Sequence, residues 1–151
     1  MGDGTVRSVT EERLEQRWPG ERLGLPESGP GSVAGWGRRV LALVIDWFLS
    51  LMASAALVGG SVWSAGGTAQ WAPLAVFGVE RWVLTGLLGA SAGQLIVGIR
   101  IHALDGRPVG LWRALIRSVL LCLVIPPVIY NGNYQGVHDM AVGTVPVRVR
   151  S

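Results

Sequence analysis

Residues 47–79 run without a single Asp, Glu, Lys or Arg. A water-facing surface is not built from such a stretch, whereas about 20 apolar residues in a helix cross a hydrocarbon core ~30 Å thick. Arg38 and Arg39 lead into it, and one acid, Asp46, stands at its threshold. The predicted first membrane helix therefore spans about 38–62. Trp36 and Trp63 bracket it as interfacial tryptophans do. At 1.5 Å per residue they lie ~40 Å apart, enough to include both head-group zones.

The rest of the chain agrees with a membrane setting. Only 15% of residues are charged, against about 25% in soluble domains. Residues 1–30 hold four arginines and six acids, and residues 31–151 hold nine arginines and four acids, so the apolar part carries the positive excess. These arginines form no basic face for nucleic acid; anionic lipid head groups suit them better. Cys122 is the one cysteine, which excludes an intramolecular disulfide and a multi-cysteine metal site; in "LLCLVIPP" it reads as an apolar filler.

Residues 1–35, dense in Gly, Pro and Ser in their second half, are expected to form a mobile cytoplasmic tail with at most a short helix over 8–17. A second membrane helix is expected over about 74–92, where Gly78, Gly86, Gly89, Ala90, Ser91 and Gly93 permit close helix approach. Glu80 and Arg81 interrupt it and read as an interfacial pair snorkelling outward. Residues 99–104 alternate apolar with Arg100 and His102, which suggests a partly extended loop turning at Asp105-Gly106. A third segment, about 111–130, carries Arg113 and Arg117 one turn apart. Its charge-free part is short, and Pro126-Pro127 breaks it, so it either spans with snorkelling arginines or re-enters. The fold class expected is an all-α membrane protein of about three hydrophobic segments. The positive-inside rule places the N-terminus in the cytoplasm and residues 63–73 outside; a re-entrant third segment keeps Arg148 and Arg150 inside.

The successive motifs "RRVLALVIDWF", "SAGQLIVGIRI" with "DGRPV", "LWRALIRSVLLCL" and "GVHDMAVGTVPV" resemble those of the RDD family of small membrane proteins, over residues 35–150. The family's name-giving arginine and two aspartates fall on Arg39, Asp46 and Asp139. Gln94 departs from the lysine that often follows the glycine in the family. The resemblance implies a membrane domain over 36–151, without assigning an activity.

Arg39 and Asp46 lie two turns apart on one helix face. An acid this deep costs about 2.5–3.5 kcal/mol on insertion scales, so it should face protein or water. Three readings stay open: Asp46 is pinned by an arginine of another segment, such as Arg113 or Arg117; it is desolvated and exchanges a proton or cation; or it is wetted from the cytoplasmic side. Asp139 either caps a turn or joins Arg39, Asp46 and Arg117 in one polar network. Beside His138 it also suggests catalysis, but Ser118 and Thr144, the nearest candidate nucleophiles, sit in no nucleophile motif. The candidate site is thus Arg39, Asp46, Arg113, Arg117 and Asp139, with no metal, cofactor or enzymatic activity expected. The partners expected are the bilayer and a second membrane protein or another copy of the chain, in the plasma membrane; the alternative is an oligomeric ion or proton-coupled transporter using Asp46.

Overall fold

The computed structural model describes residues 16–63, 67–123 and 137–150. Helix α1 (Trp36–Val58) continues through a 3-10 turn, Gly59–Trp63. Among the described residues it is the one helix long and apolar enough to cross a membrane. Its burial is the reverse of a soluble helix. The inward residues Ala42, Asp46, Ser50 and Ser54, spaced by four, are small or polar. Leu41, Val44, Phe48, Met52 and Leu57 point out. Lipid solvates such an outer face at no cost, while a small inner stripe lets neighbouring helices come close. Ser50 and Ser54 donate back to the carbonyls of Asp46 (2.8 Å) and Ser50 (2.7 Å), so their hydroxyls are satisfied within the helix.

Helix α2 (Ala72–Leu88) starts after a 3-10 turn, Thr68–Trp71, with Pro73 in its first turn where no N–H partner is needed. Pro73, Phe77, Arg81 and Thr85 form its inward stripe. There follow α3 (Ala92–Val97), β1 (Ile99–Ala103), α4 (Gly110–Cys122), α5 (Val137–Met140) and β2 (Thr144–Arg148). Helix α4 lies along α2. A Cβ built on Gly86 would stand 2.5 Å from Leu111 Cδ2 and 3.0 Å from its Cα, so only glycine allows this approach. Trp82 donates to the Leu111 carbonyl at 2.9 Å and packs on the small core of Ile101, Val109 and Ala114.

Strands β1 and β2 pair antiparallel, Ile99 opposite Arg148 and Ala103 opposite Thr144. On the other edge of β2, Gly31 N–H donates to Arg148 O (2.7 Å), Arg148 N–H to Ser32 O (2.8 Å) and Ala34 N–H to Pro146 O (2.9 Å). Residues near the start, middle and end of the chain therefore share one hydrogen-bonded sheet. They lie on one side of any membrane that α1 crosses.

Several expectations are corrected. The chain is mostly helical rather than all-α, because the alternations at 99–103 and 144–148 find each other as strands. The tail is shorter than 1–35: within its described part, residues 31–34 pair with β2, and Trp18 Nε1 donates to Leu25 O at 3.0 Å. Gly and Pro there build turns rather than disorder. The expected short helix at 8–17 lies mostly outside the described residues. The expected second helix over 74–92 ends at Gly89, whose φ of 70° terminates it. Of the expected third helix over 111–130, Gly110–Cys122 is helical, and Pro126-Pro127 lies outside the described residues.

Gly86→Val should force α2 from α4 and cost about 1–3 kcal/mol, read as a lowered Tm in detergent. Gly37→Ala, with open space around it, should leave the Tm within about a degree.

Candidate functional site

Asp46 has no exposed surface. It stands ten residues into α1, ~15 Å along the axis. Its Oδ2 accepts from Arg81 Nη1 at 2.5 Å and from Ser91 Oγ at 2.6 Å; its Oδ1 accepts from Gly93 N–H at 2.5 Å. These are the short bonds of an ionised acceptor. The Arg81 guanidinium also lies 5.5 Å from the Phe77 ring centroid, and Phe77 meets Trp47 edge-on at 5.6 Å. The carboxylate ties three elements, α1, α2 and the start of α3, at one point.

The local sequence explains why α3 begins there. Ser91 and Gln94 form a reciprocal capping box. A helix start leaves N–H groups without intrahelical partners, and each of the first three here finds its own acceptor. Ala92 N–H goes to Glu80 Oε1 (2.8 Å), Gly93 N–H to Asp46, and Gln94 N–H to Ser91 Oγ (3.4 Å). Gly93 admits the acid because it lacks a side chain: a Cβ there would overlap the Ala42 carbonyl oxygen and stand 2.8 Å from Asp46 Oδ1.

A second cluster gathers around Asp139, which is 1% exposed. Arg117 Nη1 pairs with its Oδ1 and donates to Thr144 Oγ1 at 2.7 Å. Thr144 Oγ1 lies 3.3 Å from the same carboxylate oxygen, and Arg39 Nη1 is 3.9 Å from Oδ2. Arg39 Nε donates to Ala34 O at 2.9 Å, so it also ties α1 to the segment paired with β2. His138 Nε2 sits 3.5 Å from Asp139 Oδ2. Burial, with Arg117, Arg81 and Arg39 nearby, pushes this imidazole down to about 3. The two clusters meet at a cavity of about 40 Å³, whose walls include Arg39, Arg81, Gln94, Arg117, His138 and Asp139.

Of the five residues expected in the site, the structure brings four to this cavity or beside it. Arg113 is elsewhere. It pairs with exposed Asp105 at 2.5 Å, and its guanidinium holds that carboxyl well below the usual range, helped by the Arg107 N–H. Arg113 and Arg117 diverge because Arg117 lies on the buried stripe of α4 with Ala114, Ser118 and Leu121. The acid's partner is Arg81, not Arg113 or Arg117. The expected outward snorkelling of Arg81 is corrected, since it is 5% exposed and faces inward with Phe77 and Thr85. Sequence reasoning also missed Ser91 and Gln94, although S-x-x-Q is a readable helix-start signal. The Thr144 hydroxyl, weighed in the sequence beside His138 and Asp139, is engaged with Arg117 and Asp139.

The family model for the RDD family matches residues 33–143. No curated protein and no solved structure matches the chain.

Asp46→Asn should strand Arg81 as a buried unpaired charge and cost about 3–5 kcal/mol, seen as a sharply reduced folded yield in membranes. Arg113→Gln, which breaks only an exposed pair, should leave the folded yield close to that of the unmodified chain; equal losses would contradict the assignment. The depressed His138 pKa sets a pH window. The unfolded imidazole binds a proton below about 6.5 and the folded one only near 3. Between those values the unfolded state holds more protons, so stability falls as pH falls. His138→Gln should reduce the loss of Tm between pH 7 and pH 4.5; an unchanged profile would show that the imidazole charges freely in the folded protein.

Proposed function

The chain belongs to the RDD family, and from that premise we propose that it is a small integral membrane module, non-enzymatic, that acts by binding another membrane protein or further copies of itself. The observation that carries this reading is the saturation of Asp46. Its two oxygens receive three donors, from Arg81, Ser91 and Gly93. A carboxylate so held has most of its acceptor positions already occupied by the protein's own donors, which leaves little room for a substrate cation. It acts as a clasp that fixes helix register. The outward apolar faces of α1 and α2, with Leu57, Met52, Val79 and Leu87 exposed, are available to lipid and to neighbouring helices.

In this reading the sheet side faces the cytoplasm of a cell whose plasma membrane α1 crosses. Support comes from arginine placement. Arg38, Arg39, Arg100, Arg107, Arg148 and Arg150 belong to the sheet end, while residues 63–73 carry no charge.

Cross-linking in native membranes should trap the chain in a larger assembly, and proteoliposomes of the purified chain should show no cation or proton flux that depends on Asp46. Flux down an imposed sodium or pH gradient that disappears in a folded Asp46→Asn variant would overturn the reading in favour of a transporter.

A further inference from the structure

Where α2 meets the sheet, a groove of about 380 Å³ opens, a volume in the range of small-ligand sites. Its lining mixes two chemistries. Leu87 and Leu88 supply exposed apolar surface, and His102 and Arg107 supply exposed polar groups. The groove also sits at a definite depth. Ile101 N–H donates to Gly89 O at 2.6 Å, so α2 ends against the sheet, as α1 begins against it. Leu88 lies seven residues past Arg81, ~10 Å along α2, and Asp46, the partner of Arg81, lies ~15 Å into α1. Leu88 therefore stands near the level of Trp36. Trp36 and Trp112 are both exposed, and Trp112 follows the Leu111 that packs on Gly86. Exposed tryptophans at one level mark a membrane–water interface.

No acid lines the groove. Asp105, next to it in sequence, accepts from the Arg107 backbone N–H at 3.1 Å and from both terminal nitrogens of Arg113 at 3.1 and 2.5 Å. The charges of Arg107 and Arg113 both act on that one carboxylate. Asp46 and Glu80 act on Arg81, and Asp139 is paired with Arg117 and Arg39. Among the described residues, two guanidiniums thus face one carboxylate at this corner.

We propose that the groove binds an anionic glycerophospholipid from the leaflet on the sheet side, with its phosphodiester at Arg107 and His102 and its glycerol and upper acyl chain along Leu87 and Leu88. The guanidinium fork matches the phosphate oxygens. A soluble phosphate would leave the leucines unused, and a purely apolar segment would leave the arginine without an anion. With no carboxylate in the lining, nothing receives the quaternary ammonium of a zwitterionic head group, so a lipid of net negative charge fits best. This inference stands apart from the partner-binding reading and needs only that the outer face of α2 meet lipid.

Native mass spectrometry of the full chain, released from micelles doped with phosphatidylglycerol or with phosphatidylcholine of identical acyl chains, tests it. The expected result is a one-lipid adduct that forms with phosphatidylglycerol at lower concentration than with phosphatidylcholine. Arg107→Gln should weaken that adduct about tenfold. Arg100→Gln removes the same charge outside the lining and should leave it unchanged. Leu87→Asn keeps the charge and should also loosen the adduct, so either groove variant alone decides if the other fails to fold. Soluble glycerol phosphate should not displace the lipid. Equal adducts with both lipids, or equal losses in Arg107→Gln and Arg100→Gln, overturn the proposal. Displacement by glycerol phosphate would assign the groove to a soluble anion instead. A dimer lost in Arg107→Gln with lipid adducts unchanged would assign it to a second copy of the chain.

Discussion

A carboxylate with no exposed surface, set ~15 Å along a lipid-facing helix, constrains everything packed around it. Bringing such an ion out of water costs several kcal/mol, and its arginine costs as much again. Mutual attraction in a low dielectric recovers part of that, and the remainder falls to the other groups at the site. Ser91 and Gly93 satisfy the acid, while the Phe77 ring lies against the arginine. The arrangement demands a small residue at 93 and a helix beginning at 92. In this fold the start of α3 serves as a donor platform, with two acids and a serine taking its first three N–H groups.

The same reasoning accounts for the shape of the helices. A soluble chain hides its large apolar residues; here they point outward from α1, and Ala42, Asp46, Ser50 and Ser54 point inward. With lipid outside, there is little hydrophobic gain from helix association, so close packing and polar bonds carry it. Gly86 against Leu111 supplies the first, and the Asp46 and Asp139 clusters supply the second. The small sheet then closes the assembly at one end, joining residues 31–34 to β1 through β2.

Much of this was legible in the residues. The charge-free run marked α1, the alternation at 99–104 marked an extended stretch, expected as a loop and found as strand β1, and the depth of Asp46 called for protein or water around it. The identity of that partner was not legible. Arg81 sits next to Glu80, and adjacent opposite charges invite an interfacial reading; only the alignment of Phe77, Arg81 and Thr85 on the inward stripe of α2 turns the arginine toward α1. Arg113 and Arg117 looked equivalent at one-turn spacing, yet the rotation of α4 buries one and leaves the other paired with Asp105 near the surface. The ordered stretch ahead of Trp36 escaped notice because its pairing residues, Gly31 to Ala34, carry no strand-like alternation and depend on an edge more than a hundred residues away.

The central claim is that Asp46 and Arg81 act as one unit. The most direct measurement is a double-mutant cycle, comparing the stability in detergent of Asp46→Asn, Arg81→Met and the double variant. Each single change leaves the other charge buried and alone, so the double variant should be less damaged than the sum of the two by about 2 kcal/mol or more. Additive losses within about 0.5 kcal/mol would mean that the two side chains do not depend on each other, contradicting the account.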